Sequence, residues 1–193
     1  MMKRMFATAA LAAAFMGLIS GAEARQWKPT KEQQVQDYLQ IRYQTSDNTI
    51  VFLQWIAPAM FPDTAETKVA REMTSKYVIV LLGHARVTKM GQWQYATPSN
   101  VLLETVDGKF RRPLSDDEMP PTVFGFVSTL SKVIAQGLGP LGRRIVTKVY
   151  SSEGISDCGK GGFWIRYGGE RYDYQTPLPG CTGGNPAGVQ SAR

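Results

Sequence analysis

The order of apolar and polar positions divides this chain into short elements, most of them strands. In "DYLQIRYQTSD" the apolar Leu39, Ile41 and Tyr43 alternate with Gln40, Arg42 and Gln44, the period of a half-buried strand. After the turn residues "SDN" comes "TIVFLQWIA", a nearly continuous apolar run that predicts a fully buried strand ended by Pro58 and Pro62. The next stretch, "DTAETKVAREMTSK", has only a thin apolar stripe, Val69 and Met73, and predicts a short helix capped by Asp63 or Thr64. "YVIVLLG", Tyr77 to Gly83, is the clearest core strand; it continues through "HARVT" with Ala85 and Val87 alternating, and "GQWQYATP" then turns outward.

"NVLLETVDGKFRRPL" reads as two strands around Asp107-Gly108, a dipeptide suited to a tight hairpin turn. Beyond the acidic loop "SDDEMPP", Val123, Phe126, Val127, Leu130, Val133 and Ile134 recur at three- and four-residue spacing between Pro121 and Gly137. That spacing predicts one amphipathic helix of about 15 residues. "RRIVTKVYSS" is another strand, and a hairpin over residues 163–174 follows. With Gly168 and Gly169 as its two turn residues, Tyr167 pairs with Glu170, Arg166 with Arg171, Ile165 with Tyr172, Trp164 with Asp173 and Phe163 with Tyr174. Phe163, Ile165, Tyr167, Tyr172 and Tyr174 then share a core face, and Trp164, Arg166, Arg171 and Asp173 share the other. Short strands separated by Gly, Pro and Asp turns, with one amphipathic helix, predict a mainly β fold: an immunoglobulin-like antiparallel β-sandwich, its helix crossing between sheets or closing one end. The alternative is an α+β fold, a single antiparallel sheet with the helix on one face.

The ends of the chain add a compartment. Lys3 and Arg4 precede an apolar run from Met5 to Ile19, and Ala22-Glu23-Ala24 is a small-x-small cleavage site, so residues 1–24 read as a bacterial-style secretory signal peptide. The run is short of the ~20 residues that span a bilayer, no second such run follows, and no cysteine stands directly after it for lipid attachment. The expected product has no transmembrane segment after cleavage and is periplasmic or secreted. It comprises a polar lead-in at 25–34, a single β-rich domain at 35–181 and a disordered tail at 182–193. Cys158 and Cys181 are the only cysteines and lack the Cys-x-x-Cys spacing of redox pairs, which predicts one structural disulfide. It would close the base of the hairpin, the glycines at 159, 161 and 162 absorbing the offset as a bulge.

Charge and motifs mostly subtract functions. The chain has 22 basic and 16 acidic residues, net +6, scattered rather than gathered on one element as a nucleic-acid binder would need; the densest groups are Arg111-Arg112 and Arg143-Arg144. A solvated cationic surface is the reading, with weak attraction to an anionic envelope surface as the alternative. "GLGPLG", Gly137 to Gly142, matches a dinucleotide fingerprint by letter, but it ends a helix instead of opening one. His84 is the only histidine, which leaves no second His for a metal site and reads as a hydrogen-bonded structural residue. "SDDE", Ser115 to Glu118, lacks the rest of a calcium loop and suits the approach to a helix N-terminus. No catalytic residue, cofactor or metal is assigned. The reading is an exported, non-enzymatic envelope protein, a binding or assembly module working through a strand edge or through the outer face of the hairpin, Trp164, Arg166, Arg171 and Asp173. An exposed Trp beside Arg on a rigid ribbon suits an envelope protein or a glycan. Two other classes stand beside it: an envelope hydrolase or carbohydrate-active enzyme using dispersed carboxylates such as Glu104 and Asp107, and a periplasmic copper carrier using His84 with Met60, Met73, Met90 and Met119.

Overall fold

The structure is a computed structural model and describes residues 38–45 and 47–178. In chain order its elements are β1 (Leu39–Gln44), β2 (Thr49–Ile56), a 3-10 turn (Pro58–Met60), α1 (Lys68–Lys76), β3 (Tyr77–Val87), β4 (Trp93–Ala96), β5 (Leu102–Thr105), β6 (Phe110–Arg111), α2 (Pro121–Gly137), α3 (Gly139–Gly142), β7 (Val146–Ser151), β8 (Gly161–Tyr167) and β9 (Glu170–Thr176). The expected signal peptide, lead-in and tail lie outside the described residues, as does Cys181.

Two antiparallel sheets result. In the first, β1, β2 and β3 are neighbours, and both β4 and β7 pair with the far side of β3. The second has the order β6-β5-β8-β9. Between them lies the main core: Val51, Leu53 and Trp55 from β2 and Val78, Val80 and Leu82 from β3 meet Leu103, Phe163, Ile165, Tyr172 and Tyr174. Fully burying such an apolar side chain contributes about 1.5–3 kcal/mol. β3 is apolar on both faces because both are covered. Ile79 and Leu81 point the other way, into a second cluster with Met73 of α1 and Val123 of α2. The sandwich read from the sequence is therefore present, with the helices forming a third layer on the outer face of the first sheet, the position the α+β alternative gave the helix.

Three details differ from the sequence reading. The segment read as turning outward, "GQWQYATP", contains β4, paired along His84–Val87. The helix α1 begins at Lys68, later than Asp63 or Thr64, because Thr67 instead joins Pro62 and Thr64 in a hydrogen-bonded turn ahead of it. Of the six apolar positions read on α2, Val123 is buried and Phe126, Val127, Leu130 and Ile134 pack partly buried against the second cluster, while Val133 is 60% exposed, since the helix lies across one sheet face. "GLGPLG" does end that helix: Gly139 has φ +56°, and a Cβ on Gly142 would stand 2.2 Å from the Ile134 carbonyl oxygen.

Gly83 sits under the ring of Phe52, its partner on β2; a Cβ there would lie 1.9 Å from a ring carbon. The ring takes the space over Gly83 because β3 offers no side chain at that point. Gly83→Ala should therefore destabilise by about 1 kcal/mol, although Ala is ordinarily the better strand residue. In a Phe52→Ala background the same change should be neutral or stabilising. A urea double-mutant cycle reads the difference, and strictly additive costs would mean that the ring does not rest on Gly83.

Candidate functional site

The hairpin of β8 and β9 has the register read from the sequence, from Tyr167 opposite Glu170 to Phe163 opposite Tyr174. Gly168 and Gly169 take φ of +60° and +82°, values that suit glycine in a two-residue turn. Phe163, Ile165, Tyr167, Tyr172 and Tyr174 are all buried on the inner face.

On the outer face the four proposed binding residues are brought together, and most of their chemistry is used internally. β5 adds Glu104 directly opposite Trp164. Its carboxylate accepts from Arg166 Nε at 2.5 Å, lies 4.0 Å from Arg171 Nε, and is only 13% exposed. The guanidinium of Arg171 lies 3.6 Å from the centroid of the Trp164 ring and 3.7 Å from Asp173. Two arginines opposed across the hairpin are thus held by one carboxylate between them and one aromatic face below. The Arg166 hydrogen bond is the main cause that holds Glu104 below the usual carboxylate range. The sequence offers Glu104 as half of a dispersed catalytic pair; its role as counter-ion follows only from the β5–β8 pairing.

β1 reverses the expected sidedness. Its polar side faces the sandwich: Gln40 donates to the Asp173 carbonyl, and Arg42 reaches Glu170 at 2.5 Å and the Arg171 carbonyl at 2.5 Å while lying 4.6 Å from the Tyr172 ring centroid. β9 is the edge of the second sheet, so its outward carbonyls need donors, and β1 supplies them. The apolar side of β1 consequently points away from the second sheet. Ile41 is 63% and Tyr43 55% exposed. Directly opposed residues share a face, so Ile41, Phe52 and Gly83 form one row and Tyr43, Ile50, Ala85 and Tyr95 the next, with Val87 opposite Trp93 beyond. Trp93 is 54% exposed. The helices cover the part of this face around Ile79, Leu81 and Val149, and among the described residues neither helix packs over these rows. No side chain in them is charged. The strand alternation of β1 was readable in the sequence; which side was buried was not.

The remaining candidates stay apart or are occupied. His84 Nδ1 lies 2.5 Å from Tyr167 Oη, with the rings edge to face, on the inner side of the first sheet. Met73 and Met119 pack in the cluster on the opposite side, and Met90 is exposed. Among the described residues no group of three or more His, Cys, Asp or Glu side chains is placed to hold a metal ion, and no helix is long and apolar enough to cross a membrane. A shallow groove of about 320 Å³ between α2, the 113–119 loop and β7 offers Asp116 and Lys148 above an apolar floor. Asp107, the other half of the hypothetical pair, is hydrogen-bonded by Lys109 and Thr105, which hold its pKa down to about 2. Glu118 belongs to "SDDE" and is likewise held to about 2, chiefly by Arg112 and then by the Ser115 backbone and hydroxyl. Among the described residues, the carboxylates held away from their ordinary range, Glu66, Glu104, Asp107 and Glu118, are all lowered. Comparison with protein-family models, with curated proteins and with solved structures found no match to this chain.

Asp107 and Glu118 titrate lower in the folded chain than in the unfolded one. Their stabilising effect is complete above the unfolded values, near pH 4, and is lost as pH falls through the folded values near 2. The urea midpoint should fall between pH 5 and pH 2, and the combined Asp107→Asn and Glu118→Gln variant should show a shallower fall. An unchanged slope would show that these exposed pairs are silent in solution.

Proposed function

We propose that this chain is an exported, non-enzymatic binding or assembly module of the cell envelope, and that it engages its partner through the bare outer face of the first sheet. The observation that carries this reading is the reversed β1, which spends its polar side on β9 and turns Ile41 and Tyr43 outward beside Trp93. Large apolar side chains grouped on one exposed face mark interaction sites more often than scattered ones do. The leader-like N-terminus and the two cysteines support export. The lowered carboxylates and the engaged His84 favour binding over hydrolysis. The hairpin's outer face, with Trp164 under Arg171 and Arg166 on Glu104, is a cross-braced surface in this reading, and the apolar face is the one with unmet contacts.

Two measurements test it. Immobilised protein should retain a specific set of envelope proteins from cell extract, and Ile41→Ser with Trp93→Ser should reduce that retention more than about tenfold while Trp164→Ala with Arg166→Ala leaves it within about twofold. Equal retention by all three proteins would show that this face takes no part in binding. The proposed Cys158–Cys181 bridge predicts no titratable thiol in protein unfolded without reductant, and a loss of roughly 3 kcal/mol on reduction. Two free thiols in protein recovered from the envelope would contradict it.

A further inference from the structure

We infer that the partner on this face is a second copy of the same chain, an inference that rests on the proposed binding role of the face and names its occupant. Charge is the first reason. The chain carries net +6, so two copies meet with least repulsion where neither presents a charge, and the cross-strand rows around Tyr43 and Ile50 carry none. An anionic bilayer is recognised by Lys and Arg set among the aromatic side chains, and a charged partner protein by complementary charges; these rows hold neither.

Shape is the second reason. The Phe52 ring occupies the space that a side chain at Gly83 would fill, so at the centre of the face one ring stands where two side chains would otherwise project. Sheet faces stack on other sheet faces at about 10 Å. An identical copy supplies such a face, apolar and of the same dimensions, through a two-fold axis.

Area is the third. At 63%, 55% and 54% exposure, Ile41, Tyr43 and Trp93 alone present roughly 350 Å² of side chain. The half-buried Ile50, Phe52, Val87 and Tyr95 raise this to about 500 Å² per copy, or about 1,000 Å² for a pair, the lower bound for a specific interface. β1 is held with its apolar side outward, because Gln40 and Arg42 fasten its other side to β9.

The test uses the protein as it is recovered from the envelope. Sedimentation equilibrium should give a dimer at tens of micromolar. The double variants Ile41→Lys/Trp93→Lys and Ile41→Glu/Trp93→Glu should each weaken the dimer more than about tenfold with an unchanged circular dichroism spectrum. An equimolar mixture of the two should recover a mixed dimer, because every contact across the axis then pairs opposite signs whatever its register. A monomeric wild-type chain overturns the inference, as does a mixture that stays monomeric. If the wild type is monomeric and envelope proteins are still retained through Ile41 and Trp93, the inference fails and the binding role stands. Sedimentation with anionic phospholipid vesicles that depends on the same two residues, without a dimer in solution, overturns it in favour of a lipid surface.

Discussion

Trp55 is where the two sheets are joined. From β2 its indole reaches into the second sheet and meets Phe163 at 4.9 Å and Tyr174 at 5.9 Å, both edge to face, with Tyr38 at 6.3 Å on its own side. Phe163 and Tyr174 are themselves stacked at 4.9 Å across the hairpin. Each such pair contributes about 0.5–1.5 kcal/mol beyond its buried area, and together they fix the hairpin's inner face on β2. The indole Nε1 has no hydrogen-bond acceptor among the described residues, so the ring is oriented by packing alone.

Once the hairpin is fixed there, its free edge must come to rest somewhere. β9 lies at the end of the second sheet, beside β1 at the end of the first, and the two edges face each other across the side of the sandwich. The Arg171 carbonyl is part-buried there, and leaving it unpaired would cost the desolvation of an unsatisfied acceptor. Gln40 and Arg42 supply the donors, and that requirement sets which way β1 faces. The bare apolar surface is the consequence: Ile41 and Tyr43 are outside because Gln40 and Arg42 are needed inside. A slip of one residue in the β1–β2 register would exchange the two sets and leave β9 without its donors.

The same economy governs the outer face of the hairpin. Arg166 and Arg171 stand opposite each other, an arrangement that by itself is unfavourable. The second sheet resolves it with a neighbour that hairpin geometry alone does not include, Glu104 on β5, and with the π face of Trp164. Residues that look like a recognition patch on an isolated ribbon become a brace when the third strand is added.

What the sequence determined by itself is what depends on near neighbours in the chain. The Gly168-Gly169 turn fixes the hairpin register, strand alternation fixes which of its residues share a side, and spacing together with Pro121 and the glycines beyond residue 136 fixes the extent of α2. Only the tertiary structure decided which side of each strand is buried. For β8 and β9 the apolar side went in, as the aromatic weight of that side suggested. For β1 the polar side went in, because its burial is set by unpaired carbonyls on a strand about 130 residues away. α2 shows the same limit: its apolar stripe is real, but one sheet face covers only part of a helix, so Val123 is buried and Val133 is not. Periodicity is local, whereas burial depends on what the rest of the chain brings to each face.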